Sequence, residues 1–132
     1  NSAPGKLILS ELENKNKSII EKFKLKKINL KNKEDDLIKK KNILSKEEFD
    51  SEVLALREEM QIYNKDRQTT FSEFEKNKKK KLNEFLKKIT PFIEAFVQEN
   101  SINIVLNEKN LFIASKKFDI TGQIIEIINK NY

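Results

Sequence analysis

The chain has 132 residues, of which 37% are hydrophobic and 36% are charged; this is little apolar material for a compact core and predicts an elongated molecule with much solvated surface. Its net charge of +6 suits an anionic partner, such as an acidic polypeptide, a nucleic acid or a lipid surface, although a lysine-rich solvated helix face would also explain it. Cysteine and histidine are absent, which excludes disulfides and thiolate chemistry and removes the commonest general base and metal ligand.

The first predicted element is a long helix that begins near Lys6. Ser2 can cap it, and Pro4 tolerates a first-turn position because its missing N–H would have no partner there. Hydrophobic residues then recur at heptad spacing, which predicts a coiled-coil seam. One row of the seam consists of Leu9, Asn16, Phe23, Leu30, Leu37 and Leu44, and the second row of Leu12, Ile19, Lys26, Lys33 and Lys40. Because lysines occupy the distal part of the second row, we expect that part of the arm to be weaker and able to splay.

A capping box predicts that the chain turns back at Leu44-Ser45. Ser45 can accept a hydrogen bond from the Glu48 N–H while the Glu48 carboxylate reaches back to Ser45. Leu44 and Phe49 are placed to pack against each other across this turn. A second helix is therefore expected to begin near Lys46 and to lie antiparallel to the first.

The second helix is longer than the first, so its end is predicted to lack a partner within the hairpin. At ~1.5 Å per residue the first helix spans about 60 Å and the second about 80 Å. The apolar stripe continues through this end at Phe85, Ile89, Phe92 and Phe96, which we assign to an oligomer body. Pro91 is expected to bend the helix where the arm meets this body.

After the second helix the hydrophobic period changes from 3.6 to 2, which predicts a β-hairpin. Its strands would run over about 102–106 and 111–115, and the second strand is apolar on both faces. An isolated hairpin is marginal in water, so further strands must come from elsewhere. The hairpin residues that we assign to the oligomer body are Ile102, Ile104, Leu106 and Phe112.

Together these elements predict a mainly α chain with a small β part. A long antiparallel helical hairpin, a coiled-coil tentacle, is attached to a small β body with a short C-terminal helix over about 121–129. We assign residues 1–132 to one domain. Residues 6–84 would form the hairpin arm with its bend at 44–45, and residues 85–132 would form the body together with the N-terminal residues.

The sequence contains no motif that predicts catalysis, a cofactor or a metal. It has no Gly-rich phosphate loop and no nucleophile elbow. The acidic residues 34–36 are adjacent on a helix, so they point to different faces and are interpreted as a solvated turn. We therefore predict no enzyme activity, no cofactor and no small-molecule substrate.

Three segments resemble the Skp/OmpH family of periplasmic chaperones. They are Ser2 to Lys6 (S-A-P-G-K), Phe96 to Leu106 (F-V-Q-E-N-S-I-N-I-V-L), where that family passes from its long helix into a strand, and Phe118 to Thr121 (F-D-I-T). The order of the parts is similar over essentially the whole chain. The family's fold starts with a β-strand ahead of the S-x-x-G-K segment, whereas this sequence begins at that segment. The sequence starts at Asn1 without Met or a signal-like apolar core, as a processed or truncated product would.

The resemblance implies an ATP-independent holdase of the periplasm. In that family three subunits join their β elements into a body, and three helical hairpins surround a cavity that holds an unfolded outer-membrane protein. The implied partners are unfolded outer-membrane proteins and two further copies of the chain, with anionic lipid or lipopolysaccharide as additional candidates. Residues 1–45 carry the charge excess, with 12 basic and 6 acidic side chains. The lysines predicted to steer acidic clients are Lys24, Lys26, Lys27, Lys31, Lys33, Lys39, Lys40 and Lys41.

Other classes of protein stay open at this stage. A basic coiled-coil module that binds nucleic acid or anionic lipid would use the charge of the first arm and the lysine-rich residues 76–81, but not the predicted strands. A prefoldin-like holdase places its β-hairpins between its helices, whereas here the predicted hairpin follows both helices. A purely structural coiled coil would not need residues 102–115.

Overall fold

The structure of the protein, a computed structural model, describes residues 2–132. Helices and short 3-10 turns account for the regular structure of these residues. In chain order the elements are α1 (Ala3–Lys40), α2 (Lys46–Glu99), the 3-10 turns Glu108–Asn110 and Lys116–Phe118, and α3 (Thr121–Asn131). The predicted long helical hairpin and short C-terminal helix are therefore confirmed.

Two compact units share these helices. The hairpin unit, Leu12–Lys78, consists of α1 and α2 alone. The terminal unit combines the described residues up to Glu11 with Lys79–Tyr132 and so contains the start of α1, the end of α2 and α3. The division into an arm over 6–84 and a body over 85–132 stays a prediction.

The predicted capping box forms at the bend between α1 and α2. The Glu48 N–H donates to Ser45 Oγ (3.3 Å), and the Ser45 N–H donates to the Glu48 carboxylate (3.0 Å). The Ser45 hydroxyl also donates to Glu48 Oε2 at 2.6 Å. These hydrogen bonds stabilise the ionised carboxylate and hold the pKa of Glu48 below its ordinary value.

Aromatic side chains anchor the two helices of the hairpin unit to each other. Phe23 is only 3% exposed, and its ring lies 5.8 Å from that of Tyr63 in an edge-on arrangement and 6.1 Å from that of Phe71. The Tyr63 hydroxyl donates to the Phe23 carbonyl at 3.4 Å. Leu12, Leu37 and Phe74 are the other buried hydrophobic residues of this unit. The seam is thus best packed around Phe23, and among the described residues between Phe23 and the bend only Leu37 is buried.

In the terminal unit α3 packs against the ends of the two long helices. The Ala3 N–H donates to the Asn129 side-chain oxygen at 2.8 Å, and the rings of Phe85 and Tyr132 are 5.4 Å apart. Gly5 allows this packing, since a Cβ there would lie 3.4 Å from the Phe85 ring and 3.0 Å from the Ser2 hydroxyl. Ser2 is buried, and its hydroxyl caps α1 by accepting from the Gly5 N–H (3.4 Å).

The segment between α2 and α3 differs from the prediction. No strand forms in the described part of the chain, so the strands predicted over about 102–106 and 111–115 are wrong for the single chain. A 3-10 turn replaces the hairpin loop, and the Asn107 side chain caps this turn by accepting from the Lys109 N–H at 3.0 Å. The physical reason is that a two-stranded hairpin needs a second layer or further strands to cover its apolar side chains, and one chain does not supply them.

The helix α2 ends in a Schellman motif with a serine at the left-handed position. The Ile102 N–H donates to the Val97 carbonyl at 2.9 Å, and the Ser101 N–H to the Gln98 carbonyl at 3.1 Å. Ser101 has a φ of 53°, in the region that favours glycine. The chain therefore leaves α2 through a conformation that costs energy for a residue with a side chain.

Candidate binding surface of the helical hairpin

The eight lysines predicted to steer clients fall into two groups in the structure. Lys26, Lys33 and Lys40 pair with carboxylates of α2, and Lys39 pairs with Asp36 at 2.9 Å within α1. Among the residues that the structure describes, no carboxylate forms an ion pair with the remaining four lysines. These four are Lys24, Lys27, Lys31 and Lys41. Only half of the predicted set is thus free to meet an acidic partner without breaking an ion pair.

The lysines of the seam form three regularly spaced ion pairs with α2, which we call the ion-pair ladder. The nitrogen–oxygen distances are 3.4 Å for Lys26–Asp66, 2.6 Å for Lys33–Glu59 and 3.7 Å for Lys40–Glu52. Successive pairs are seven residues apart on both helices, in opposite directions. The side chains are 44% to 51% exposed, so solvent reaches every pair. The ladder follows the antiparallel register of the hairpin.

Two cavities lie between successive pairs of the ladder. The first, of about 290 Å³, is bounded by Lys33, Lys40 and their two partner carboxylates, and has Leu37, Ala55 and Leu56 at its apolar surface. The second, of about 240 Å³, is bounded by Lys26 and Glu59 and has Leu30, Ile62 and Tyr63 at its apolar surface. One side of the hairpin unit therefore alternates ion pairs with apolar hollows, and we call it the ladder groove.

A second surface is formed by a stripe on α1, which we call the basic stripe. It consists of Ile20, Lys24, Lys27, Ile28 and Lys31. Their spacing of four, three, one and three residues places them on one helical face. The two isoleucines are 49% and 47% exposed. The charge pattern of the sequence indicates the lysines but not the isoleucines beside them, whose exposure becomes known only with the buried seam residues.

The residues assigned to an oligomer body separate into a covered and an uncovered group. Ile89 is buried, while Phe85, Phe92, Phe96 and Ile102 are half-buried. Ile104 is 73%, Leu106 61% and Phe112 99% exposed. Part of the stripe on α2 is thus covered within the chain, where Tyr132 lies against Phe85, and sequence reasoning missed this contribution of the C-terminal residue. The connecting segment remains uncovered.

Most of the lysines in residues 76–81 are engaged in ion pairs. Lys81 lies 2.7 Å from Glu11 and lowers the pKa of that carboxyl group, chiefly through a hydrogen bond. Lys78 pairs with Glu75 at 3.8 Å and Lys80 with Glu84 at 3.9 Å. This run is therefore a weaker candidate for an anion-binding patch than the lysines of α1.

Other kinds of site are not supported by the described residues. In residues 2–132, no three His, Cys, Asp or Glu side chains come together in a way that could hold a metal ion. None of the helices there combines the length and the apolar character needed to cross a bilayer.

Comparison with known proteins places the chain in a family. The model of the outer membrane protein (OmpH-like) family matches residues 1–128. A crystal structure of a protein from Caulobacter crescentus CB15, proposed to be an OmpH-like outer membrane chaperone, superposes with a TM-score of 0.85 at 16% sequence identity, over 97% of this chain and 76% of that one. A search of curated proteins gives no match. The family match over almost the whole sequence, together with the shared hairpin fold, shows that the chain belongs to the OmpH/Skp-like family of outer membrane protein chaperones, which are not enzymes.

Proposed function

We propose that the protein is an ATP-independent holdase that binds unfolded outer-membrane proteins in the periplasm and keeps them soluble. The observation that carries the proposal is the basic stripe, where three lysines without ion pairs lie beside two exposed isoleucines. Cationic side chains attract an acidic chain from a distance, and scattered apolar contacts hold it without selecting one conformation. Membership of a chaperone family supports the same function.

The holdase works as a homotrimer whose helical arms surround the client. The segment between α2 and α3 supports this, because Ile104, Phe112 and Ile113 are 73%, 99% and 83% exposed. Exposed apolar side chains on a segment with β-type alternation are suited to pairing with the same segment of other copies. In such a body the residues over about 102–106 and 111–115 would gain the partners that one chain lacks.

Light scattering on the purified chain, with and without an unfolded outer-membrane protein diluted from urea, tests this function. We expect a mass of three chains that increases by one client, and a client that stays soluble. A chain that takes up no client would contradict the holdase, and a monomer that still keeps the client soluble would contradict the trimeric cavity.

Two matched variants locate the oligomer contact. Phe112→Asp changes a residue within a predicted strand, whereas Phe118→Asp makes the same change at a residue that is 71% exposed and lies outside both predicted strands. We expect only Phe112→Asp to dissociate the trimer at micromolar chain concentration. Equal effects of the two variants would show that general charge repulsion, rather than strand pairing, disrupts the assembly.

A second candidate function is a basic module that binds nucleic acid or anionic lipid, which Lys24, Lys27 and Lys31 also favour. Binding of this kind follows the number of phosphates contacted and weakens steeply with salt. A gel-shift assay with DNA and a flotation assay with anionic vesicles, each without client, separate this candidate from the holdase.

A further inference from the structure

The ion-pair ladder shows how the lysines of the seam bind carboxylates. Asp66, Glu59 and Glu52 reach across from α2 and occupy the ammonium groups of α1 at 2.6 to 3.7 Å. Ion pairs between side chains exposed to this degree contribute little to stability, because solvent screens them and ordering two long side chains costs entropy. Another carboxylate that reached the same ammonium groups would therefore displace them at small cost.

The spacing of the ladder is close to one repeat of an extended, unfolded polypeptide. Seven helical residues correspond to ~10.5 Å along α1. In the polyproline II conformation, which unfolded chains populate, three residues span about 9.3 Å and side chains three residues apart lie on the same side. An acidic residue at every third position can thus meet successive lysines of the ladder.

The cavities between the ion pairs define the rest of the partner's chemistry. Beside the charged groups of the ladder and Asp36, the first cavity has Leu37, Ala55 and Leu56 at its surface. Beside Lys26, Asn29 and Glu59, the second has Leu30, Ile62 and Tyr63, so each cavity offers an apolar surface that an apolar side chain can contact. Their volumes of about 290 and 240 Å³ are large enough for a leucine or phenylalanine side chain. A segment that carries an apolar residue next to each acidic one presents an apolar row a third of a turn from its acidic row, so it offers both kinds of side chain to the ladder groove.

We propose that the ladder groove is a docking site for an extended segment of polypeptide that carries both acidic and apolar residues. The carboxylates of α2 pair with the lysines of the groove until the carboxylates of such a segment displace them. The proposal rests on the proposed function in one respect, since the segment would belong to a client chain. It assigns Lys26, Lys33 and Lys40 a role distinct from that of the basic stripe: the stripe attracts clients, and the groove exchanges an internal partner for an external one.

Two charge-matched variants test the displacement. The ladder variant, Glu52→Gln with Glu59→Gln and Asp66→Asn, removes the carboxylates of α2 that pair with the ladder lysines and leaves all lysines in place. The control variant, Glu58→Gln with Glu73→Gln and Asp50→Asn, makes the same substitutions at exposed positions of α2 that form no ion pair within residues 2–132. Both variants gain three positive charges relative to the chain's +6.

The probe is a fluorescent peptide of four Glu-Leu-Ser repeats, whose binding is followed by anisotropy at low salt. We expect the ladder variant to bind it at least about threefold more tightly than the control variant, and the two to bind a Gln-Leu-Ser peptide equally. Equal affinities of the two variants for the Glu-Leu-Ser peptide would show that only net charge matters and would overturn the proposal. An advantage of the ladder variant for anionic vesicles but not for the peptide would also overturn it, since the partner would then be a lipid surface.

A crosslinking experiment tests the same site with the ladder intact. The chain has no cysteine, so a single introduced cysteine reports one position. Ala55→Cys lies in the first cavity, and Leu54→Cys is its neighbour at a position that is 60% exposed and does not line either cavity. We expect a Glu-Leu-Ser peptide with an activated disulfide to label Ala55→Cys faster than Leu54→Cys, after correction for the reactivity of each thiol toward a free small disulfide.

The opposite order of labelling rates would contradict docking in the groove. Neither experiment requires client capture. A failure of the proposal therefore leaves the holdase function standing, and a chain that binds the peptide but does not keep an outer-membrane protein soluble would contradict the holdase alone.

Discussion

Replacing Phe23 by alanine tests whether one aromatic cluster holds the hairpin unit together. The Phe23 side chain is 3% exposed and contacts the rings of Tyr63 and Phe71 on the opposite helix. Truncation of a buried phenylalanine costs ~3–5 kcal/mol, because the transfer free energy and the packing around the cavity are both lost. This is a large part of the ~5–15 kcal/mol that stabilises an ordinary domain. We therefore expect Phe23→Ala to open the hairpin unit.

Hydrogen exchange resolved by peptide measures this effect directly. A loss of ~3 kcal/mol corresponds to about a hundredfold faster exchange through the open state, since ~1.4 kcal/mol is a factor of ten in an equilibrium constant. The effect should be confined to peptides from Leu12–Lys78. Leu25→Ala is the control, because Leu25 is 66% exposed and its removal should change exchange little. If both variants exchanged at the wild-type rate, the aromatic cluster would not be what holds α1 and α2 together.

Three further changes test separate features. Ser101→Gly should stabilise the terminal unit by about 1 kcal/mol, because glycine removes the cost of the left-handed conformation. Urea unfolding at constant chain concentration measures this, and a destabilised variant would contradict the explanation. The combined change of Lys24, Lys27 and Lys31 to glutamine should slow client capture at low salt, as measured by stopped flow, and should make the capture rate less dependent on salt. An unchanged capture rate would exclude steering by the basic stripe. The pKa of Glu48 is depressed in the folded chain. The stability that this carboxylate contributes is therefore present above its pKa in the unfolded chain, about 4.3, and is lost as the pH falls through its pKa in the folded chain. Glu48→Gln should flatten the acid side of a plot of thermal stability against pH.

The features that the sequence predicted well depend on neighbouring residues. The capping box requires only Ser45 and Glu48 three positions apart, and the hydrogen bonds between them form as expected. The long helices follow from hydrophobic spacing, and the short helix α3 from a run of isoleucines with the same period. The prediction that every seventh residue lies in the seam was less accurate at the start of α1, where Leu9 is 57% exposed and Ile8 is half-buried instead. A straight α-helix drifts by about 20° per heptad, so a row of residues seven apart does not stay on one face over the five steps from Leu9 to Leu44.

The features that the sequence did not predict depend on partners that are distant along the chain. Strand formation over about 102–106 requires other strands, and the alternating hydrophobic pattern does not supply them within one chain. The pairing of Lys33 with Glu59 requires the antiparallel register of the two helices, which is a property of the folded hairpin. A count of charges therefore does not show which of the eight lysines pair with a carboxylate in the folded chain, and their role in steering stays a prediction.

In the proposed docking site, the same lysines that weaken the seam also bind carboxylates. A lysine row gives less seam stability than an apolar row, and this led us to expect a weak distal arm. The structure shows what the row gains in exchange: the carboxylates of α2 pair with it at each heptad, and hollows with apolar surfaces lie between the pairs. A fully apolar seam would hold the helices more firmly but would carry no ammonium groups for an acidic partner. Solvated ion pairs can be exchanged one at a time for those of an incoming acidic chain, because each contributes little by itself. If clients bind by this exchange, the arm should bind longest those segments that carry acidic residues at every third position.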